Sequence, residues 1–392
     1  MATVGSSRSR AAEREVALTQ RFLRSANAAA KDPHGCRFTF GNPQELALPA
    51  MVDALRAAAQ PLDPQWFAYK DNEAAPRAVI AEALTGELGV AVHPEDIALT
   101  AGATGAIALA FQMLAEPGDE VVIPVPGWFV YAPMLRLAGL VPVQAPLAAE
   151  TFDLDLDAIA AAITPRTRIV VVNTPHNPTG RIYSRAALAE LADLLDRESA
   201  RNDARIFLLS DEPYRRIRFD GNGFTSPAVV YPWTVIDYSW AKVLVAPGQR
   251  LGYLALSPHL PAADSAALRE LFFPTQVGMG WNFPEAVMQH AVPALENVSL
   301  DLADLQRKRD RMCAALVEYG YRVNRPEGTF YVWGAAPGGD ALRFADWLAD
   351  RSVHVMPGTL FERPADFRIC LTATWDMIER ALPVFRDAAR AL

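Results

Sequence analysis

From about residue 95 the chain alternates short apolar runs with longer stretches of helical period. DIALT (96–100), EVVIPVP (120–126), RIVVVNTP (168–175), RIFLLSDEP (205–213) and TVIDYSWAK (234–242) are strand-like runs that end in polar or special residues, and RLGYLAL (250–256) reads as one more. Apolar runs of this kind, separated by helical patterns, predict strands buried on both faces, and therefore a mainly parallel sheet between layers of helices. After the first run, AGATGAIALAFQMLAEPGD predicts a glycine-rich turn, a helix and a Pro-Gly-Asp stop. Near the N-terminus, Val16, Leu18, Phe22 and Leu23 give a helical arm a partly apolar face. Arms of this kind often pack on a partner subunit.

Composition narrows the class. A chain of 392 residues suits one large and one small domain, and 51% hydrophobic with 21% charged residues is ordinary for a globular protein. The net charge of −8 argues against nucleic acid as a partner, because phosphate binding needs concentrated basic surface. The longest weakly apolar stretch, roughly Thr100 to Ala115, falls short of a bilayer span, so no membrane is expected. Cys36, Cys313 and Cys370 are far apart and lack paired spacing, which points away from disulfides and metal sites and toward a reducing cytoplasm. The N-terminus is rich in Arg, Ser and Ala, but Glu13 and Glu15 and the lack of an apolar core speak against a targeting peptide.

The candidate chemistry lies at the strand ends, where ligands bind in open α/β sheets. Of 37 lysines and arginines only four are lysines, Lys31, Lys70, Lys242 and Lys308, and Lys242 stands in the apolar stretch SWAKVLVAPG. An ammonium is unfavourable there, whereas a neutral amine is not, and only an amine can form an imine. The same ends carry Gly102-Ala103-Thr104, Trp128, Asn177, Asp211 with Tyr214, and Ser239. A glycine turn at a helix start suits a phosphate, a Trp face suits a ring, and an acid suits a ring nitrogen. Asn and Tyr can hydrogen-bond a ring oxygen, and Lys can hold an aldehyde. Together these parts describe a site for pyridoxal 5'-phosphate.

The stretches AGATGAI, PGWFVY, NTPHNPTG, SDEPY, SWAKVLVAPGQRLGY and FRICLTA occur in the order found in the fold-type I pyridoxal-phosphate enzymes. The chain resembles the class I/II aminotransferases of that group, related to aspartate aminotransferase, over most of its length from Gly41 to Arg368. The resemblance implies a large α/β domain with a mainly parallel, seven-stranded-type sheet and a smaller α+β domain. The expected boundaries are an N-terminal arm (1–35), a segment joining the small domain (36–60), the large cofactor-binding domain (61–276) and the C-terminal small domain (277–392).

It also implies roles. Lys242 forms the Schiff base and serves as the base at the substrate Cα. Asp211 pairs with the ring nitrogen, Asn177 and Tyr214 with the ring oxygen, and Trp128 stacks on the ring. Gly102, Ala103, Thr104, Ser239 and Arg250 hold the phosphate, helped by Tyr69 from a neighbouring subunit, although Ala74 stands where the family usually has Gly. Arg368 binds the substrate carboxylate beside Gly41 and Asn177. His176 is given no catalytic role. The implied activity is transfer of an amino group from an L-amino acid to a 2-oxo acid by a cytoplasmic homodimer with shared sites. GNPQELALP and QVGMGWNFPEA lie where specificity is set and keep open an oxidase or hydroxylase, a cyclase or a lyase on the same fold. A non-catalytic ligand-sensing domain is the remote alternative, and no helix-turn-helix pattern precedes Gly41 to favour it.

Overall fold

The computed structural model describes residues 4–29, 32–280 and 283–392. Trp281 and Asn282 of the QVGMGWNFPEA stretch lie outside the described residues. A short strand β1 (Cys36–Arg37) precedes a sheet of seven strands. These are β2 (Ile97–Thr100), β3 (Glu120–Val125), β4 (Val141–Pro146), β5 (Thr167–Asn173), β6 (Phe207–Asp211), β7 (Thr234–Ser239) and β8 (Gly252–Leu256). Their order is β2-β8-β7-β6-β5-β3-β4, and only the pairings of β8 with β2 and β7 are antiparallel. The edge strand β4, VPVQAP, went unread in the sequence, because its two prolines and half-buried surface lack the apolar run of the central strands.

Five helices precede or follow the early strands: α1 (Ser7–Ala29), α2 (Pro49–Ala58), α3 (Ala74–Leu88), α4 (Ala103–Leu114) and α5 (Tyr131–Ala138). One face of the sheet packs α4, α5 and the helix Ala262–Met279 against residues such as Ile123, Leu209, Val235 and Leu254. The opposite face receives α2, α3 and the helix Ala286–Leu295 over Ile236, Tyr238 and Tyr253. Burial on both faces explains why these strands read as apolar runs without alternation. The expected join at 276/277 falls inside the helix that ends at Met279, and the next helix still packs on the large sheet.

The C-terminal part forms β9 (Val323–Asn324), β10 (Tyr331–Ala335), β11 (Val353–His354), β12 (Met356–Pro357) and β13 (Asp366–Cys370). A four-stranded sheet runs β12-β13-β10-β9, and β11 pairs in parallel with β1, so the N-terminal segment joins this region. Its core gathers Cys36 and Phe38 with Phe330, Phe344, Ile369 and Phe385.

The N-terminal arm is helical and packs on its own chain. Leu18 and Phe22 lie against the cluster of Trp333, Met356 and Phe361, and Arg136 of α5 donates from Nε to Glu15 at 3.1 Å. Leu23, expected on the apolar face, is exposed. Among the described residues no helix is long and apolar enough to cross a membrane, and no three His, Cys, Asp or Glu side chains are grouped as metal ligands.

Candidate active site

The carboxyl ends of the parallel strands converge on one cavity. Ala103, Thr104, Trp128, Asn177, Asp211, Tyr214, Ser239, Lys242 and Arg250 all line it, together with Ile107, Pro213, Ala241 and Pro247. Asp211 ends β6, Ser239 ends β7, Asn177 follows β5, and Ala103 opens α4 after β2. Residues separated by well over a hundred positions thus meet because parallel strands start and stop in register.

Gly102 caps α4 with φ 79° and ψ 175°, a conformation that side chains other than hydrogen rarely adopt. A Cβ there would lie 2.7 Å from Nη2 of Arg250, so the glycine admits the guanidinium to the helix start. Arg250 donates from Nη1 to Pro247 O at 2.8 Å and from Nη2 to Ala101 O at 3.2 Å. Ser239 is buried, and its hydroxyl donates to Leu251 O at 3.0 Å while accepting from the Ala241 amide. The first amides of α4 have no earlier turn to bond to, as at any helix start.

Lys242 lies between buried Ala241 and Val243, with Nζ 5.8 Å from the centre of the Tyr214 ring. Burial, and then the nearby Arg368 guanidinium, bring its ammonium pKa down to about 8. Tyr214 is also buried, and its hydroxyl lies 3.2 Å from that of Tyr331. Burial, reinforced by Tyr331, holds the Tyr214 phenol well above its usual range. Trp128 meets Tyr131 edge to face at 5.3 Å between ring centres.

Arg368 lies on β13 of the other sheet and reaches the same place. Its Nη1 donates to Asn177 Oδ1 at 2.8 Å and its Nη2 to Thr39 O at 2.8 Å. The guanidinium carbon stands 3.9 Å from the centre of the Tyr331 ring. Its buried Nε has no hydrogen-bond partner among the described residues. A Cβ on Gly41 would come within 2.7 Å of the Phe330 ring and 3.4 Å of the Tyr331 hydroxyl. Tyr69 stands apart, fully exposed on the surface of the single chain. His176 is wholly buried, with Nδ1 2.8 Å from Thr179 Oγ1, and burial brings its pKa down to about 3, so it is neutral.

Three site residues were not singled out in the sequence. Tyr131, at the start of α5, donates its hydroxyl to Oδ2 of Asp211. Tyr331 supports both Tyr214 and Arg368. Asp237 of β7 is paired in register with Asp211 and is buried beside it. A signal existed for Asp237 alone, since an acid in the middle of the apolar strand TVIDYS is out of place unless it has a polar neighbour.

Comparison with known proteins follows the same lines. The sequence profile of the family described as "Aminotransferase class I and II" matches residues 36–385. The aspartate/prephenate aminotransferase of Thermus thermophilus is 32% identical over 316 residues, 79% of each chain. A probable N-succinyldiaminopimelate aminotransferase of Mycobacterium tuberculosis is 33% identical over 308 residues, 74% of this chain and 73% of that one. The structure of an amino transferase from Eubacterium rectale superposes with a TM-score of 0.86 at 26% identity, covering 99% of this chain and 96% of that one. For Thermus thermophilus aspartate aminotransferase with maleate the TM-score is 0.83 at 28% identity, over 98% of this chain and all of that one.

Proposed function

The chain belongs to the aminotransferase class I and II family, and from that premise we propose that Lys242 is the centre of a site moving an amino group from an L-amino acid to a 2-oxo acid. The family and its solved relatives imply pyridoxal 5'-phosphate. The residues fit that group: a half-buried lysine, a glycine-gated arginine at a helix start, and a buried acid at one cavity. When bound, this cofactor supplies an aldehyde that condenses with amines and a ring that takes up the electron pair left at the substrate Cα.

In this reading the amides of Ala103 and Thr104, with Ser239 and Arg250, hold the phosphate, and Gly102 makes the turn that lets Arg250 approach it. Trp128 covers the ring face. Asp211 holds a proton at the ring nitrogen, and the NH2 of Asn177 and the hydroxyl of Tyr214 donate to the ring oxygen. The unpartnered Nε of Arg368 and the rest of its fork receive the α-carboxylate, with Gly41 leaving room for the approach. The Lys242 amine, deprotonated above about pH 8, would take the proton from the Cα of the donor amino acid and, in the second half of the reaction, return one to the Cα of the amino acid formed from the 2-oxo acid. Burial of the surrounding residues keeps water from competing for that proton.

Tyr69, exposed on one chain, we assign to the phosphate of a second copy's site, which makes the working unit a homodimer. The free, buried thiols of Cys36, Cys313 and Cys370 support a cytoplasmic setting. The helix Ala286–Leu295 packs on the large sheet, so we set the large domain's end after Leu295 instead of at 276.

One observation carries the proposal: the amine of Lys242, the acid Asp211 and the guanidinium of Arg368 come close together although they belong to segments of two different sheets. The test is the purified protein with pyridoxal phosphate, single L-amino acids beginning with aspartate and glutamate, and a panel of 2-oxo acids. Formation of a new amino acid matched by a new oxo acid is expected. Amino acid loss with oxygen uptake or ammonia release, and no amino acid product from any oxo acid, would replace transfer by an oxidase or lyase reaction.

A further inference from the structure

Asp211 has a second carboxyl group beside it that the transfer of an amino group does not require. Along β7 the side chains alternate: Ile236 and Tyr238 face α2 and α3, whereas Val235 faces α4 and α5. Asp237 therefore shares Val235's face. On β6, Leu209 and Asp211 hold that same face, and the register pairs Asp211 with Asp237. On its other side Asp237 faces Leu254 of β8, part of the apolar core under α4. Asp237 is wholly buried, and neither of its oxygens meets a hydrogen-bond donor among the described residues.

The charged and titratable groups around the pair are few. Asp211 and Glu212 come from β6 and its end, Tyr214 from just after it, Tyr131 from the start of α5, and Lys242 acts on Asp211 from beyond β7. Tyr131 gives its hydrogen to Asp211, not to Asp237. Two ionised carboxylates facing each other in an apolar layer repel strongly; a single proton turns one acceptor into a donor and satisfies both. Burial, with Asp211 alongside, holds the Asp237 carboxyl well above the usual range. Burial also raises Asp211, but the Tyr131 bond, the Asp237 bond and Lys242 oppose that rise. The geometry favours Asp237 as the carrier of that proton, because Tyr131 already donates to Asp211 and no donor among the described residues reaches Asp237.

We propose that Asp237 is a positioning residue for Asp211: it carries the one proton of the pair and donates it to Asp211, which stays ionised and is fixed from two sides, by Asp237 and by Tyr131. The proposal rests on the reading that Asp211 holds the proton of the ring nitrogen. Two donors make Asp211 a weaker base, so the shared proton of that contact stays on the ring, where it is needed.

The test pairs a direct observation with a rescue. Carbon-13 NMR of the cofactor-free protein labelled at aspartate carboxyl carbons should show one buried carboxyl still protonated at pH 7, and Asp237→Asn should abolish that signal. This readout does not depend on turnover, so it stands even if the protein proves not to transfer amino groups. In the cofactor-loaded enzyme, Asp237→Asn keeps a donor and should retain kcat and its pH profile, whereas Asp237→Val should lose about tenfold or more in kcat with KM little changed. No protonated carboxyl at pH 7, or its survival in Asp237→Asn, would overturn the proposal. So would an Asp237→Val enzyme with the wild-type kcat and pH profile, or an Asp237→Asn enzyme as impaired as Asp237→Val.

Discussion

Arg368 Nη1 donates to Asn177 Oδ1 at 2.8 Å, a bond between residues 191 positions apart that ties the last strand of the small sheet to the turn after β5 of the large one. The same guanidinium stacks on Tyr331 at 3.9 Å. The guanidinium is thus held in one orientation, which would limit the entropy lost if it binds a carboxylate as proposed.

Asn177→Ala removes the acceptor that orients this fork. A hydrogen bond to a charged group contributes about 2 kcal/mol, so kcat/KM should fall roughly 30-fold, with KM for the amino acid carrying much of the change. Arg368→Lys keeps the charge but loses the planar fork and its stacking, and should fall at least as far. Steady-state kinetics with the same amino donor would decide; an Arg368→Lys enzyme with unchanged KM would remove Arg368 from carboxylate binding.

Gly102→Ala should weaken cofactor retention more than it weakens substrate binding. Its φ of 79° and ψ of 175° belong to a region that costs of order 1–3 kcal/mol for a residue with a side chain. The new methyl would also displace Arg250 from the start of α4. Fluorescence titration of the cofactor-free protein should give a Kd at least about tenfold higher, and equal affinity would show that Arg250 has no part in holding phosphate.

The positions of the central strands and the cluster of residues at their ends were legible because each buried strand is an apolar run that stops at a polar residue, as LLSD stops at Asp211 and VNTPHN at Asn177. What could not be read were contacts made across the fold. Nothing local to PGWFVY says that Tyr131 turns back to Asp211, since that depends on how the fold brings the start of α5 to the end of β6. Nothing in GTFYVW says that Tyr331 supports Arg368, since that depends on the antiparallel register of β10 and β13. The edge strand β4 was missed for a different reason: its outer side has no neighbour, so its sequence need not be apolar. The N-terminal arm had an apolar face in the sequence, but only packing shows that Leu18 and Phe22 use it on their own chain.

Asp211→Ala should leave a folded protein that still takes up cofactor through the phosphate site yet turns over slowly. Loss of one preorganised charge at a reacting group typically costs about 10²–10³ in kcat. The slow step should be proton removal from Cα, so a substrate deuterated at Cα should show a larger isotope effect in the variant than in the wild type. Unchanged single-turnover rates would restrict the carboxylate to its bond with Tyr131.

The state of Lys242 leads to a pH dependence whose sign can be worked out. Its amine has a folded pKa lowered to about 8 from the ordinary 10.5, first by burial and then by Arg368. Below about pH 8 both folded and unfolded chains carry the ammonium, and the folded chain bears the cost of burying it. Between about 8 and 10.5 the folded chain has released that proton while the unfolded chain still holds it, so stability attributable to this residue rises with pH and levels off above 10.5. Lys242→Met should accordingly stabilise the cofactor-free protein most at pH 7, and its advantage should shrink as the pH approaches 10.5. Denaturant unfolding of both proteins at several pH values would measure this. The same amine governs capture of pyridoxal phosphate by the cofactor-free protein: the rate should climb nearly tenfold per unit below pH 8 and flatten above it. A rate that kept climbing to pH 10 would mean that the buried setting leaves the lysine as basic as one in water, and the apolar stretch around it would then have no chemical purpose.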